Sequence, residues 1–148
     1  MAEMMVNLLV LRDLEPVLDE QRAASVEVRR AQTTESDVIA DWVRENINPN
    51  WGVVCEVALE QTPPNCFVAY RKNPANKNSG DLPPADILGF ACYDVVTTGV
   101  FGPSGVREDQ QNTDVGTALF LSCLHAMAAE EYTQAVIGWS GMTVGYSG

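Results

Sequence analysis

The stretch from Thr98 to Trp139 limits the possible folds more than any other part of the chain. It opens with a short glycine-rich run, GVFGPSGV, and passes through an acidic polar loop, REDQQNTDVG. A long apolar segment from Gly116 to Glu131 follows, and the stretch closes on QAVIGW. The pattern predicts strand, loop, buried helix, strand. The two strands should lie parallel, joined by a right-handed crossover. A loop that opens a helix directly after a strand presents free backbone N–H groups and a partial positive charge, which together attract anions.

The preceding chain supplies the remaining elements. Val6 to Leu11 reads as a short strand, and Asp13 to Ala24 as a helix with Pro16 near its start. Val26 to Arg30 alternates apolar and charged residues, as a half-exposed strand does. Thr34 opens a capping-box-like TESD run with Asp37 in its third place, ahead of Val38, Ile39, Trp42 and Val43 at helical spacing. Asn48-Pro49-Asn50 ends that helix, and Asn50 is the expected cap of a second one, stopped by Pro63-Pro64. Cys66 to Tyr70 and Ile87 to Val96 read as an antiparallel pair joined by a proline- and asparagine-rich loop. The glycines and Pro103 between Gly99 and Val106 argue for a bulge, since proline cannot donate to a ladder. The expected class is α/β, more exactly an α+β mixed sheet. The domain runs from 26 to 148 behind an arm at 1–25 that packs on it or on a second copy.

Several function classes are disfavoured. The 148 residues carry a formal net charge of −11, which argues against a phosphate backbone as ligand. The same charge aids solubility and suits a cationic amine. No run is long and apolar enough for a transmembrane helix, and the start lacks a basic leader, so no membrane partner and a cytoplasmic location are expected. Cys55, Cys66, Cys92 and Cys123 lie in separate apolar runs without a CxxC motif, which reads as buried free thiols and no metal. His125 stands alone and reads as a solvated residue on the outer stripe of its helix.

The segment around the loop resembles the coenzyme core of the GCN5-related N-acetyltransferases. Val106 sits where that family's strand ends. Gln111, Asn112, Thr113, Asp114, Val115 and Gly116 fall on its Q/R-x-x-G-x-G/A loop, with Asp114 in place of the middle glycine. ILGFACYD, GPSGV and AVIGWSG are similar to the flanking runs, and the likeness covers roughly Val26 to Gly148. The resemblance implies a GNAT-like acyl-CoA N-acyltransferase fold that lacks the last helix and strands. It implies acetyl-CoA as co-substrate. Ser104, Gly105, Val106 and Arg107 would lie along its pantetheine arm, and Gln111 through Thr117 around its pyrophosphate.

Asp114 is expected to cap the following helix by bonding the N–H of Gly116 or Thr117. That would fill donors and repel a dianion, so the coenzyme should bind weakly. Trp42 reads as core, and Trp51 as a candidate wall of the acceptor site. Asp94 is the candidate base and Tyr146 the candidate acid for the leaving thiolate. The last strand would expose an apolar edge, which a second chain is expected to cover as a homo-oligomer. Two functions stay open. One is an N-acetyltransferase, impaired or not, acting on a small-molecule or peptide amine. The other is a non-catalytic binding or oligomerisation protein of the same fold.

Overall fold

A computed structural model describes residues 3–72, 82–95, 97–111 and 113–138. The six strands among the described residues are β1 (Glu3–Asn7), β2 (Val26–Arg30), β3 (Cys66–Arg71), β4 (Ile87–Tyr93), β5 (Val100–Val106) and β6 (Gln134–Gly138). The helices are α1 (Leu14–Ala23), α2 (Ser36–Asn46), α3 (Pro49–Leu59) and α4 (Val115–Ala129). All strands join one mixed sheet in the order β1-β6-β5-β4-β3-β2. Only β5 and β6 run parallel, and α4 makes the crossover between them. The mixed-sheet class, the β3–β4 pairing and the parallel pair around the loop agree with the sequence.

The sheet separates two apolar cores. On one face α1 and α4 bury Leu88, Ala91, Tyr93, Phe101, Leu119 and Leu124. On the other α2 and α3 bury Ile39, Trp42, Val43, Leu59, Val68 and Phe90. α4 is apolar nearly all round because it is walled by the sheet on one side and α1 on another. Gly89 sets how closely it approaches. A Cβ there would meet Leu119 Cδ1 at 2.9 Å and the carbonyl of Gly105 at 3.0 Å. Trp42 is core, as its spacing predicts.

Three local readings are corrected. The apolar run at 6–11 is not one strand. Asn7 turns the chain by accepting from the Leu9 N–H, so the strand lies earlier and a 3-10 turn follows it. α3 is capped by Asn48, whose Oδ1 accepts from Asn50 N at 2.8 Å, and Pro49 occupies the first helical position where its missing N–H costs nothing. The capping box pairs Gln32 with Glu35 rather than Thr34 with Asp37. Glu35 is also clasped by Arg29, at 3.0 and 2.6 Å.

The edge of β6 is covered from within the chain. β1 pairs antiparallel with it over Glu3↔Gly138 to Asn7↔Gln134. The expectation that a second chain covers this edge therefore loses its basis. His125 is not simply solvated either, because its Nε2 lies 2.8 Å from the Arg12 carbonyl and ties the lead into α1 to α4.

Candidate functional site

β5 carries the expected bulge, and the bulge decides what faces what. Ser104 stands opposite Ala91, and Phe101 opposite Tyr93. Gly102 and Pro103 together therefore oppose the single residue Cys92. Gly102 adopts φ +118, which the bulge requires and a Cβ would resist. Directly opposed residues of an antiparallel pair share a face. Ala91 and Tyr93 both belong to the α4 side, so the bulge turns Ser104 and Val106 onto that side with Phe101.

Beyond the bulge β5 has only one strand beside it among the described residues. Its pairing with β6 covers Val100↔Val136 and Phe101↔Ile137, whereas its pairing with β4 continues to Val106. In an antiparallel ladder only alternate residues bond a given neighbour. Part of the backbone of Gly102 to Val106 therefore faces the β6 side with no ladder partner among the described residues. All of these residues are buried. Ser104 Oγ is also buried and has no hydrogen-bond partner. An orphaned hydroxyl of this kind costs about 1–3 kcal/mol. Ser104, Gly105 and Val106 of this stretch are among the residues that the family resemblance implies along the pantetheine arm.

The loop that follows is less hospitable to an anion. Arg107 N donates to Leu88 O, and the chain then closes in turns, with Gln110 N on Arg107 O and Thr113 N on Gln110 O. Gln111 is half-buried, and its N–H is directed at Glu108 O. The Arg107 guanidinium grips Asp109 through two bonds of 2.8 Å and donates to Ala85 O. That hydrogen-bonded guanidinium holds the Asp109 carboxyl below its usual range. Glu108, Asp109 and Asp114 are exposed around the loop, so acid outnumbers base there.

Asp114 occupies the cap position of α4 but its side chain makes no cap bond, which corrects the sequence reading. Thr113 Oγ1 accepts weakly from Val115 N at 3.4 Å instead. The first amides of a helix have no intrahelical acceptor. The N–H groups of Gly116 and Thr117 are thus not consumed by Asp114, which opposes an anion only through its charge. Asn112 lies outside the described residues.

Asp94 sits at the other end of β5, in the β4–β5 turn. Its Oδ1 accepts from Gly99 N at 2.7 Å and its Oδ2 from the Tyr132 hydroxyl at 2.9 Å. Its φ of 59° suits a turn residue. One carboxylate oxygen thus closes the turn and the other ties it to the connection after α4. Tyr146 lies outside the described residues. At this same end the Tyr93 hydroxyl accepts from Arg30 and donates to Glu130 at 2.6 Å. Burial and the Glu130 hydrogen bond push it well above the usual phenol range.

No protein-family model matches the chain, and no curated protein matches it by sequence. Solved structures do match in fold. A GCN5-related glucosamine N-acetyltransferase region of a fungal multi-domain GH3 β-N-acetylglucosaminidase superposes with a TM-score of 0.68 at 10% identity, over 93% of this chain. The fold is that of the GCN5-related acetyltransferases. A putative acetyltransferase from Pyrococcus horikoshii gives 0.51 at 18% identity over 71% of this chain. A Drosophila protein gives 0.53 at 14% over 91%. The chain spans 18%, 35% and 39% of those three proteins, so it is much shorter than each. Among the described residues no helix is long and apolar enough to cross a membrane.

One grouping escaped the sequence entirely. Cys55, Cys66 and Cys92 bring their Sγ atoms within 4.8 Å of one another, all buried. The spacings in sequence follow no metal-binding pattern. They converge only because Cys66 and Cys92 are paired across β3 and β4.

Proposed function

We propose that this chain is an acetyl-CoA-dependent N-acetyltransferase that transfers directly to an amine and holds its co-substrate weakly. The observation that carries the reading is the half-paired stretch Gly102–Val106 with the orphaned Ser104 hydroxyl, followed after the loop at 107–114 by an N-terminus of α4 that Asp114 leaves uncapped. Ser104, Gly105, Val106 and Arg107 would receive the pantetheine arm through backbone groups and the Ser104 Oγ. The amides of Val115, Gly116 and Thr117 would face the pyrophosphate. Gln111 and Thr113 shape the turn ahead of them, and Asn112 is assigned to the same loop by the resemblance alone. The acidic loop and the Arg107–Asp109 pair argue for weak binding.

The thioester supplies the acetyl group. The amine nitrogen forms the new bond to the carbonyl carbon, the carbon–sulfur bond breaks, and the thiolate leaves. Outward-facing N–H groups of β5 would stabilise the developing oxyanion. Asp94 is committed to its turn, so water takes the amine proton in its place. Tyr146 is assigned the return of a proton to the thiolate. The acceptor is a small-molecule or peptide amine, and the glucosamine of one structural neighbour puts amino sugars on the first panel. Mass-spectrometric detection of amide products from acetyl-CoA and amino sugars, polyamines and peptide N-termini tests the reading. A product whose formation falls in Ser104→Val supports it. No product with any amine, at millimolar acetyl-CoA, contradicts it.

A second reading is a non-catalytic protein of the same fold that works by self-association. The same acidic loop favours it, as do Met5, Leu9 and Val10, exposed on and beside the outer strand β1. A dimer by light scattering that dissociates in Met5→Asp would support that reading. A monomer at micromolar concentration would oppose it.

A further inference from the structure

We propose that Cys55, Cys66 and Cys92 form a three-coordinate site for a soft monovalent d10 cation, with Cu(I) as the ion of choice. The three thiols come from α3, β3 and β4 and lie on the sheet face opposite Ser104, in the core with Ile39, Val43, Leu59 and Phe90. Cys66 and Cys92 are direct cross-strand partners, and Cys55 descends on them from the helix. The Cys55–Cys66 sulfur separation is 3.9 Å, and no pair among the three exceeds 4.8 Å. Three sulfurs set at about 2.3 Å around one centre stand about 4.0 Å apart. Each sulfur would have to move inward by at most about 0.5 Å to bind an ion in their plane.

The donor set selects the ion. Thiolates prefer Cu(I), zinc and iron–sulfur clusters over hard cations. No histidine, aspartate or glutamate joins the group among the described residues, so Mg²⁺ and Ca²⁺ find no oxygen ligands. Zinc wants a fourth donor. Each of the three cysteines is fully buried, and water is a poor candidate for that place. Three-coordination by sulfur alone is left, and it suits Cu(I). One Cu(I) replaces the three thiol protons, which pass to solvent, so uptake of each ion releases three protons and leaves the trio with a net charge of −2. The ladder and the α3 packing hold the ligands in place beforehand, and the fold does not wait for the metal. Cys123, also buried and free, lies outside the trio and serves as the internal control.

The test uses the reduced full chain under anaerobic conditions. Cu(I) is supplied as its acetonitrile complex in competition with a coloured Cu(I) chelator. The expected result is withdrawal of one Cu(I) per chain, with three sulfurs per copper by X-ray absorption. Cys123→Ala should bind as the parent does. Cys55→Ala, Cys66→Ala and Cys92→Ala should each lose at least 100-fold in affinity. Circular dichroism establishes that each variant is folded, and copper should raise the melting temperature of the parent and of Cys123→Ala alone. Failure to withdraw copper from the chelator overturns the proposal. So does undiminished binding by folded Cys92→Ala, a coordination shell containing nitrogen or oxygen, or zinc bound more tightly than copper.

Discussion

Phe101 and Ser104 are three residues apart in β5 and yet face the same side of the sheet, because Gly102 and Pro103 together oppose Cys92. In an unbroken strand Phe101 would share its face with Pro103 and Gly105. The bulge therefore places a hydroxyl in the α4 core, where it has no partner. Ser104→Ala removes a buried unsatisfied group and should stabilise the free protein by about 1 kcal/mol. It should also weaken acetyl-CoA binding several-fold. Urea denaturation and calorimetry read the two effects separately. A destabilised variant with unchanged affinity would remove Ser104 from the site.

The Arg107–Asp109 pair sets the charge at the mouth of the loop. Asp109 is well exposed, so losing the pair should change stability little. Asp109→Asn frees the guanidinium and removes one negative charge. Acetyl-CoA affinity should rise by a few-fold and become more sensitive to salt. Titrations at low and high ionic strength check this, and an unchanged affinity at low salt would count against an anion site here.

Glu131 follows the end of α4 with φ +73, while its N–H bonds Ala128 O and the Tyr132 N–H bonds Met127 O. This is the helix-ending arrangement in which glycine is usual. A side chain in the left-handed region costs about 1–2 kcal/mol, partly offset by the greater freedom of glycine when unfolded. Glu131→Gly should therefore stabilise by about 0.5–1 kcal/mol. Thermal denaturation decides it, and a lowered melting temperature would mean that Glu131 makes a compensating contact.

Burial by itself would raise the Glu35 carboxyl, but the Arg29 guanidinium and the Gln32 N–H outweigh it and lower its pKa from 4.5. A group depressed in the folded state contributes stability above its unfolded pKa. That contribution declines as pH falls below about 4.5 and is gone once pH passes the folded value. Glu35→Gln should thus be less stable than the parent at pH 7, with the gap narrowing below pH 4.5. Melting curves across pH 3–7 test it. A gap that stays constant would show that the carboxylate charge is not what stabilises this corner.

Much of this fold is legible in local pattern. The apolar run of α4, the alternation in β2 and the proline and glycines of β5 each carry one reading, and each element forms where that pattern lies. The cap of α3 is misplaced by two residues in the sequence reading, at Asn50 instead of Asn48, because Pro49 is taken there as an end to one helix and not as the start of the next. Pro49 fits the first turn only if Asn48 precedes it as cap. Other features depend on partners distant in sequence. β1 closes the edge of β6 from the opposite end of the chain, and no local signal marks that pairing. The cysteine trio needs the exact register Cys66↔Cys92, which the spacing of the residues does not reveal. Asp94 has the right chemistry for a base. Only the sheet shows that it lies at the far end of β5 from the loop, with both oxygens occupied.

The most direct test of the central claim is calorimetric titration of acetyl-CoA into the parent and into Asp114→Gly. Asp114 makes no cap bond, so its removal subtracts charge without costing a hydrogen bond. The expected result is weak binding by the parent, with affinity raised on the order of 5-fold or more in the variant, about 1 kcal/mol. No binding by either protein would contradict the acetyltransferase reading. Binding by the parent at micromolar affinity or better, without improvement in Asp114→Gly, would contradict the claim that Asp114 and its acidic loop weaken the site.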